Sequence, residues 1–389
     1  MSRFVYADNA ATTAVSQNVL EKMLPFFSEK FGNPSSIYSV GRTAREGLDN
    51  ARRQTADALG AKPEEIAFTS GGSESDNWAI RGVAHKNIDK GRHLITTAIE
   101  HHAVLHTMRA LEKEGFSVTY LQPEPDGRIT TAALEAAIRP DTTLVSIMYA
   151  NNEIGTIQPI PALAQICRTH GILFHTDAVQ AVGHTPINVE KDGIDLLSLS
   201  AHKFHGPKGV GALYIRKGLR FPNLIEGGSQ ERGRRAGTEN TPGIVGLGEA
   251  IACAGDGIEK RMTRVSGLRD RLMDGLLAIP HTHLNGNRTQ RLAGNLNISI
   301  SGIQAEGLLL LLDQNGICAS AGSACATGAV QPSHVLTAIG LPEDEAHAAL
   351  RLTLDDINTE DDVDYIIETI NRLVTHLRSL SPGWESMQK

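Results

Sequence analysis

The stretch Leu199-Ser-Ala-His-Lys-Phe-His-Gly-Pro-Lys-Gly-Val-Gly211 decides the reading of this chain. An apolar run, Asp195–Ser200, predicts a strand leading into it, and Gly211–Ile215 predicts another leading out. Between them, Ser200 to Gly211 holds two lysines, two histidines and three glycines. A lysine behind a strand end is open to two readings. It is either a solvated surface lysine, the usual fate of that residue, or a desolvated amine of depressed pKa, suited to forming a covalent bond with a carbonyl. Ser200 and His202 beside Lys203 offer phosphate donors.

Working outward, short apolar runs alternate with amphipathic stretches. Strands are predicted at Glu65–Thr69, His93–Thr97, Ser117–Leu121, Thr143–Met148 and Ile172–His175. Helices are predicted at Ser16–Phe31, Ser39–Leu59 (with Gly60 as its stop), His101–Gly115, Thr131–Ile138 and Ile160–His170. This alternation argues for a mostly parallel mixed sheet flanked by helices. After Ser229 a basic, glycine-rich loop runs to Asn240, and helices continue to about Ala278. The rest mixes strands (Leu296–Ile300, Leu350–Leu354) with helices (Ala305–Asn315, Asp361–Leu380), a smaller α+β domain. The expected division is a large domain of residues 16–260 and a small one of residues 1–15 and 261–389.

Composition sets the outer limits. The 389 residues carry 37 basic and 44 acidic side chains, a net charge of −7, which argues against a nucleic-acid partner. The leucine run Leu308–Leu312 is closed by Asp313 and Gln314, far short of the roughly 20 residues of a membrane helix. Asp8 interrupts the N-terminus where a signal peptide keeps its apolar stretch. Four cysteines (167, 253, 318 and 325) are too few for a disulfide scaffold and read as reduced thiols of a cytoplasmic protein.

Other motifs carry chemistry of their own. Ser70-Gly-Gly-Ser-Glu74 joins a strand to a helix, either as a phosphate cradle at a helix N-terminus or as a turn capped by Ser70 or Ser73. Asp177, at a strand end in Phe174-His-Thr-Asp-Ala-Val-Gln180, can pair with a cationic ring nitrogen or cap a helix. His102 and His106 have helical metal-pair spacing but no third ligand at a matching position, so no metal is expected. The arginines of Gly227-Gly-Ser-Gln-Glu-Arg-Gly-Arg-Arg-Ala-Gly-Thr-Glu-Asn240 either grip phosphate or lie solvated. Cys325 sits among small residues in Ala319-Ser-Ala-Gly-Ser-Ala-Cys-Ala-Thr-Gly328, a thiol for nucleophilic work or an incidental one in a linker. Cys318 is the expected buried structural thiol.

Together, Ser-Ala-His-Lys203, Asp177-x-x-Gln180 and the Ser-Gly-Gly-Ser turn resemble the pyridoxal-phosphate site of fold-type I enzymes. Tyr6-Ala-Asp-Asn-Ala-Ala-Thr-Thr13, Glu100-His101, Asn151-Asn-Glu-Ile-Gly155, Gln230 to Thr238 and Ser323-Ala-Cys325 narrow this to a resemblance to cysteine desulfurases of the NifS/IscS class. The resemblance implies a homodimer that turns L-cysteine into L-alanine and delivers sulfur, through a Cys325 persulfide, to an iron–sulfur scaffold protein. It implies that Lys203 holds pyridoxal 5'-phosphate, Asp177 pairs with its ring nitrogen and His101 stacks on the ring as an acid/base group. Asn152 and Gln180 are implied near the ring's 3′ oxygen. Gly72, Ser73, Ser200 and His202 are implied at the phosphate, with Thr238 reaching it from the neighbouring subunit. Arg351 is implied as the clamp on the substrate carboxylate, with Asn152 assisting, and residues 321–331 as the loop that carries Cys325. Three places depart from the family pattern: Ser73 for a threonine, Tyr38 for a histidine, and Leu352-Thr-Leu-Asp-Asp-Ile-Asn358 for a run of the kind Ser-Leu-Gly/Ser-Arg.

Overall fold

The structure is a computed structural model that describes residues 3–321, 332–381 and 384. Seven strands form the main sheet in the spatial order Ile66–Thr69, Gly211–Ile215, Leu196–Ser200, Leu173–Asp177, Thr142–Ser146, His93–Thr97, Ser117–Leu121. Gly211–Ile215 runs antiparallel to both of its neighbours, and every other pairing between adjacent strands is parallel. The six co-directional strands therefore end on one common edge, where open α/β sheets bind ligands.

Both faces of this sheet are apolar, as a helix-covered parallel sheet requires. Side chains alternate along each strand. Ile66, Phe68, Ile95, Val145, Phe174, Leu197 and Leu199 pack on one side with Leu48, Leu163, Leu247 and Ile251. Ala67, Leu94, Leu144, Leu196, Leu213 and Ile215 pack on the other with Trp78, Val83, Val104, Met108 and Leu111. Helix Ser39–Leu59 shows why the sequence folds this way: Ala44, Leu48, Ala51 and Leu59 repeat at helical spacing. Gly60 ends it in the left-handed region at φ +66°.

A second sheet is antiparallel, in the order Ser320–Ala321, Ala349–Thr353, Asn295–Ile300, Thr282–Leu284. Leu296, Ile298, Leu350 and Leu352 bury one face against helices Ile258–Leu277 and Glu360–Leu380, through Leu268, Leu272, Ile366 and Ile370. The opposite face is polar. It carries Asn297 and Arg351 as cross-strand partners, with Ser320 opposite Arg351 on the other side. Period-2 alternation alone puts Arg351 on that face, because Leu350 and Leu352 take the core. The N-terminal segment ties into this half: Val5–Tyr6 pairs with Ile317–Cys318, and Asp8 bridges Thr353.

Several expectations are corrected. The predicted helix over 16–31 is two pieces, Gln17–Met23 and Pro25–Ser28, because Pro25 cannot donate to the helix ladder. No helix follows Asp177; its Oδ1 instead accepts from Val179 N at 2.9 Å in a turn. Neither Ser70 nor Ser73 caps helix Gly72–Lys86. Cys318 is only half-buried, whereas Cys167 is fully buried and its thiol is pushed up to about 12 by that burial. No helix among the described residues is long and apolar enough to cross a membrane.

Candidate active site

Five strand ends deliver side chains to the common edge of the main sheet. Thr69 is followed by Gly71, Gly72 and Ser73; Thr97 by His101; Ser146 by Asn152; Asp177 ends its own strand; and Ser200 is followed by His202 and Lys203.

The turn after Thr69 is built for an anion. Gly71 has φ +154° and ψ −178°, a region essentially reserved for glycine. A Cβ there would project toward Ser200 Oγ, 3.7 Å away, into the space between turn and strand end. No side chain caps the 15-residue helix Gly72–Lys86, so its first-turn N–H groups stay open where the dipole favours negative charge. Gly72 is required for a second reason: a Cβ would meet Val179 Cγ2 at 2.5 Å. The donor set of bare N–H groups, Ser73 and Ser200 suits a phosphate.

Lys203 lies behind this cradle. Its Nζ donates to the carbonyls of Ala10 at 2.6 Å and Ala11 at 2.8 Å. Burial and then the nearby Arg351 charge push its pKa down to about 8, against the opposing pull of Asp177 and Asp8. Gln180 Nε2 donates to the same Ala10 carbonyl at 2.9 Å, which places Gln180 beside the lysine. His202 is held neutral, at about 4, by burial and the charges of Lys203 and Lys208, and its Nδ1 is 3.1 Å from Thr12 Oγ1.

Asp177 is buried, and burial raises its pKa although His101 and Lys203 pull it down. An anion so placed seeks a cation, and a protonated ring nitrogen answers that need. The His101 ring is exposed at the N-terminus of helix His102–Lys113, with Nδ1 accepting from Ala103 N at 3.1 Å. Below Asp177 lies a group of buried residues that sequence reasoning missed. Asp76 has its pKa raised well above the ordinary value by burial and by Asp177. His175, pushed down to about 3 by burial, bridges Ser146 Oγ at 2.8 Å and Ser198 Oγ at 3.0 Å. Glu100, raised to about 8 by burial, accepts from Thr97 Oγ1 and Met148 N. His175 stands in Phe174-His-Thr-Asp177, where three polar residues in a row close an apolar strand, so no alternation marks it.

The small sheet supplies Arg351. Its Nη1 donates to the Asn152 carbonyl at 3.1 Å and its Nη2 to Asp8 Oδ1 at 2.9 Å. Lys203 and Arg351 thus face one space, spanned by residues 8–11. The departing run after Arg351 has a structural account: Asp355 Oδ2 meets His205 Nε2 at 2.9 Å, and Asn358 closes the turn on Asp355 N. Tyr38 is exposed.

The basic loop of residues 229–240 lies beside the glycine turn, and its Thr238 is exposed. Two arginines of the loop bond to protein: Arg232 to the Pro63 and Glu64 carbonyls, and Arg235 to Glu74. Its Glu231 is buried in a bidentate pair with Arg52. His102 and His106 stack with ring centroids 5.0 Å apart. Among the described residues, His205, Asp355 and Asp356 are the only three metal-ligating groups brought together, and both ring nitrogens of His205 already have partners. Cys325 lies outside the described residues.

The class defined by this fold and site is matched by the comparisons. The family described as aminotransferase class-V matches residues 5–366. The chain is 57% identical over 381 residues to a cysteine desulfurase IscS of Methanosarcina thermophila, covering 98% of this chain and 94% of that protein. It is 53% identical to a cysteine desulfurase IscS of Clostridium botulinum strain Hall, covering 100% and 99%. Among solved structures, a NifS-like protein superposes with a TM-score of 0.91 at 41% identity, over 96% of this chain and 100% of that one. SspA in complex with cysteine superposes at 0.80 and 41% identity, over 90% and 98%. The chain belongs to the class-V aminotransferase family and, within it, to the cysteine desulfurases of the IscS and NifS kind.

Proposed function

We propose that this protein is a pyridoxal-phosphate-dependent cysteine desulfurase that converts L-cysteine to L-alanine and carries the released sulfur as a Cys325 persulfide. The observation that carries the reading is one space shared by a lysine of depressed pKa, a buried aspartate, an uncapped glycine turn and a buried arginine.

Pyridoxal phosphate, when bound, supplies an electron sink that acidifies the substrate's Cα–H bond. The chain's own residues do the rest. Gly72, Ser73, Ser200 and His202 would hold the cofactor's phosphate, and Thr238 of a neighbouring subunit would add a hydroxyl. Asp177 would pair with its ring nitrogen. His101 would stack on the ring as an acid/base group, and Asn152 and Gln180 would hydrogen-bond to its 3′ oxygen. Lys203 would hold the cofactor covalently, and the lysine's neutral amine is suited to taking and returning the substrate's Cα proton. Arg351 holds the substrate carboxylate, a task suited to a planar guanidinium. The Cys325 thiolate attacks the substrate sulfur: the S–S bond forms, the Cβ–S bond breaks, and protonation of the three-carbon product yields alanine.

The wider setting belongs to the same reading. The residues divide into a large domain, 16–260, and a small one, 1–15 and 261–389, with the Cys325 loop at 321–331. Exposed Leu24, Phe27, Phe31, Ile37 and Tyr38, near one another in sequence, support a homodimer, since exposed large apolar side chains favour burial. Free thiols at Cys167, Cys253 and Cys318 support a cytoplasmic, reducing location. The sulfur acceptor is an iron–sulfur scaffold protein.

Wild type and Cys325→Ala, loaded with cofactor, test the reading with L-cysteine and a reductant. The expected outcome is the same cofactor absorbance in both, with alanine and sulfide release lower in the mutant by about a thousandfold or more. Equal turnover in the mutant would overturn the role of Cys325. An absence of cofactor absorbance in wild type would overturn the whole reading.

A further inference from the structure

Arg351, the carboxylate clamp of the proposed reading, already has a carboxylate on it. Asp8 Oδ1 accepts from its Nη2 at 2.9 Å, and both side chains are largely buried. Asp8 is itself held from three sides. Its Oδ2 accepts from Ser320 Oγ at 2.9 Å. Its backbone bridges Thr353, whose N–H donates to the Ala7 carbonyl at 2.7 Å. Two residues on, the carbonyls of Ala10 and Ala11 receive Lys203 Nζ. Ser320 and Thr353 belong to the sheet that carries Arg351, so Asp8 has little freedom to leave.

The arginine is not saturated. Among the described residues its Nε has no hydrogen-bond partner, and Nη1 and Nη2 each use only one of their two N–H groups. Arg351 therefore keeps a donor for a second carboxylate while Asp8 offsets its charge. Substrate and product share the same carboxylate, so any gain in holding it applies to both and slows release of alanine. A pre-paired arginine orients the carboxylate without holding it tightly.

We propose that Asp8 is a positioning residue that holds Arg351 in place and sets, by offsetting its charge, how weakly the amino-acid carboxylate is bound. The proposal rests on Arg351 being the carboxylate site.

The test uses holoenzyme and propionate, which has a carboxylate but no amine to react at Lys203. Binding is followed by calorimetry, alongside KM and kcat for L-cysteine. Asp8→Asn keeps the acceptor oxygen and the size but removes the charge. It is expected to bind propionate about tenfold tighter, with KM and kcat both lower. Asp8→Ala removes the acceptor as well, and is expected to bind propionate several-fold more weakly than Asp8→Asn. Unchanged or weaker binding in Asp8→Asn overturns the charge-offset role, and equal binding in the two variants overturns the holding role. Should Asp8→Ala fail to fold, Ser320→Ala replaces it; it loosens Asp8 without altering charge, and propionate binding no weaker than wild type counts against holding. Arg351→Ala separates the two claims. If it leaves propionate binding unchanged, the carboxylate reading of Arg351 fails and takes this proposal with it. If it abolishes binding while Asp8→Asn matches wild type, only the role of Asp8 fails.

Discussion

The seven-stranded sheet brings Gly72, Ser73, His101, Asp177, Ser200 and Lys203 to the site within a few residues of a strand end, whereas Arg351 of the four-stranded sheet meets Asp8 across 343 positions of sequence. The first half is locally encoded. Each piece, a strand, a turn or a helix N-terminus, is set by neighbours along the chain, although Ser200 and Val179 meet the Gly71-Gly72 turn only in the fold. The second half is assembled by long-range pairing, and its electrostatics belong to no single segment. On the proposed reading, this difference separates what would hold the cofactor from what would select the substrate.

The comparison breaks most sharply at Lys203. Lys203→Ala is expected to abolish covalent cofactor attachment and cut alanine production by about a thousandfold or more, read by absorbance and product assay. Its titration gives a second measurement. Only the neutral amine bonds to an aldehyde, and Lys203 loses its proton near pH 8. Cofactor capture by protein stripped of pyridoxal phosphate is thus expected to accelerate as pH rises to about 8 and to level off above it. A midpoint near the ordinary lysine value of 10.5 would show that burial does not act on this amine.

Arg351→Lys probes the other half with a smaller effect. It keeps the charge and loses the planar fork, so KM for L-cysteine is expected to rise about ten- to a hundredfold with cofactor absorbance unchanged. A change in cofactor binding instead would mean the halves are not separable.

The smallest effect lies where the two halves meet, at His205 and Asp355, whose side chains are 26% and 7% exposed. The hydrogen bond that His205 donates to the Asp355 carboxylate raises the pKa of His205. Burial works against the Asp355 carboxylate, but His205 and His184 outweigh it and hold it at about 2. The histidine's contribution is complete below 6.5, its ordinary value, and is lost as pH rises through its raised folded value. The aspartate's is complete above 3.8 and is lost as pH falls through about 2. The pair is therefore strongest between those ordinary values. Asp355→Asn is expected to cost about 1–2 kcal/mol of stability at pH 5 and less at pH 8, measured by denaturant unfolding. An equal loss at both pH values would show that charge plays no part.

Strand positions, and with them the placing of Lys203, Asp177 and the Gly71-Gly72 turn at strand ends, were legible because apolar runs follow a local rule. The helix break at Pro25 was legible in principle and missed, since Leu20, Leu24 and Phe27 continue a helical apolar pattern past it. His175 was passed over because a polar residue between Phe174 and Thr176 marks a strand end as readily as a buried network. Nothing in the sequence singles out Asp76, and Glu100 stands out only within the Glu100-His101 motif; their convergence on Asp177 is a property of the fold. The basic loop reads either as a grip on phosphate or as a solvated loop; what neither reading contains is that Arg232 and Arg235 meet main-chain carbonyls and Glu74, partners supplied by distant residues.

From the sequence alone came the order of strands and helices, the turn chemistry and the family, because these depend on neighbours along the chain and on motifs kept in register. Tertiary structure alone decided which charges meet: Asp8 with Arg351, His205 with Asp355, and Asp177 with Asp76. The strength and sign of an electrostatic interaction depend on distance and burial, and neither is a property of a position in the sequence.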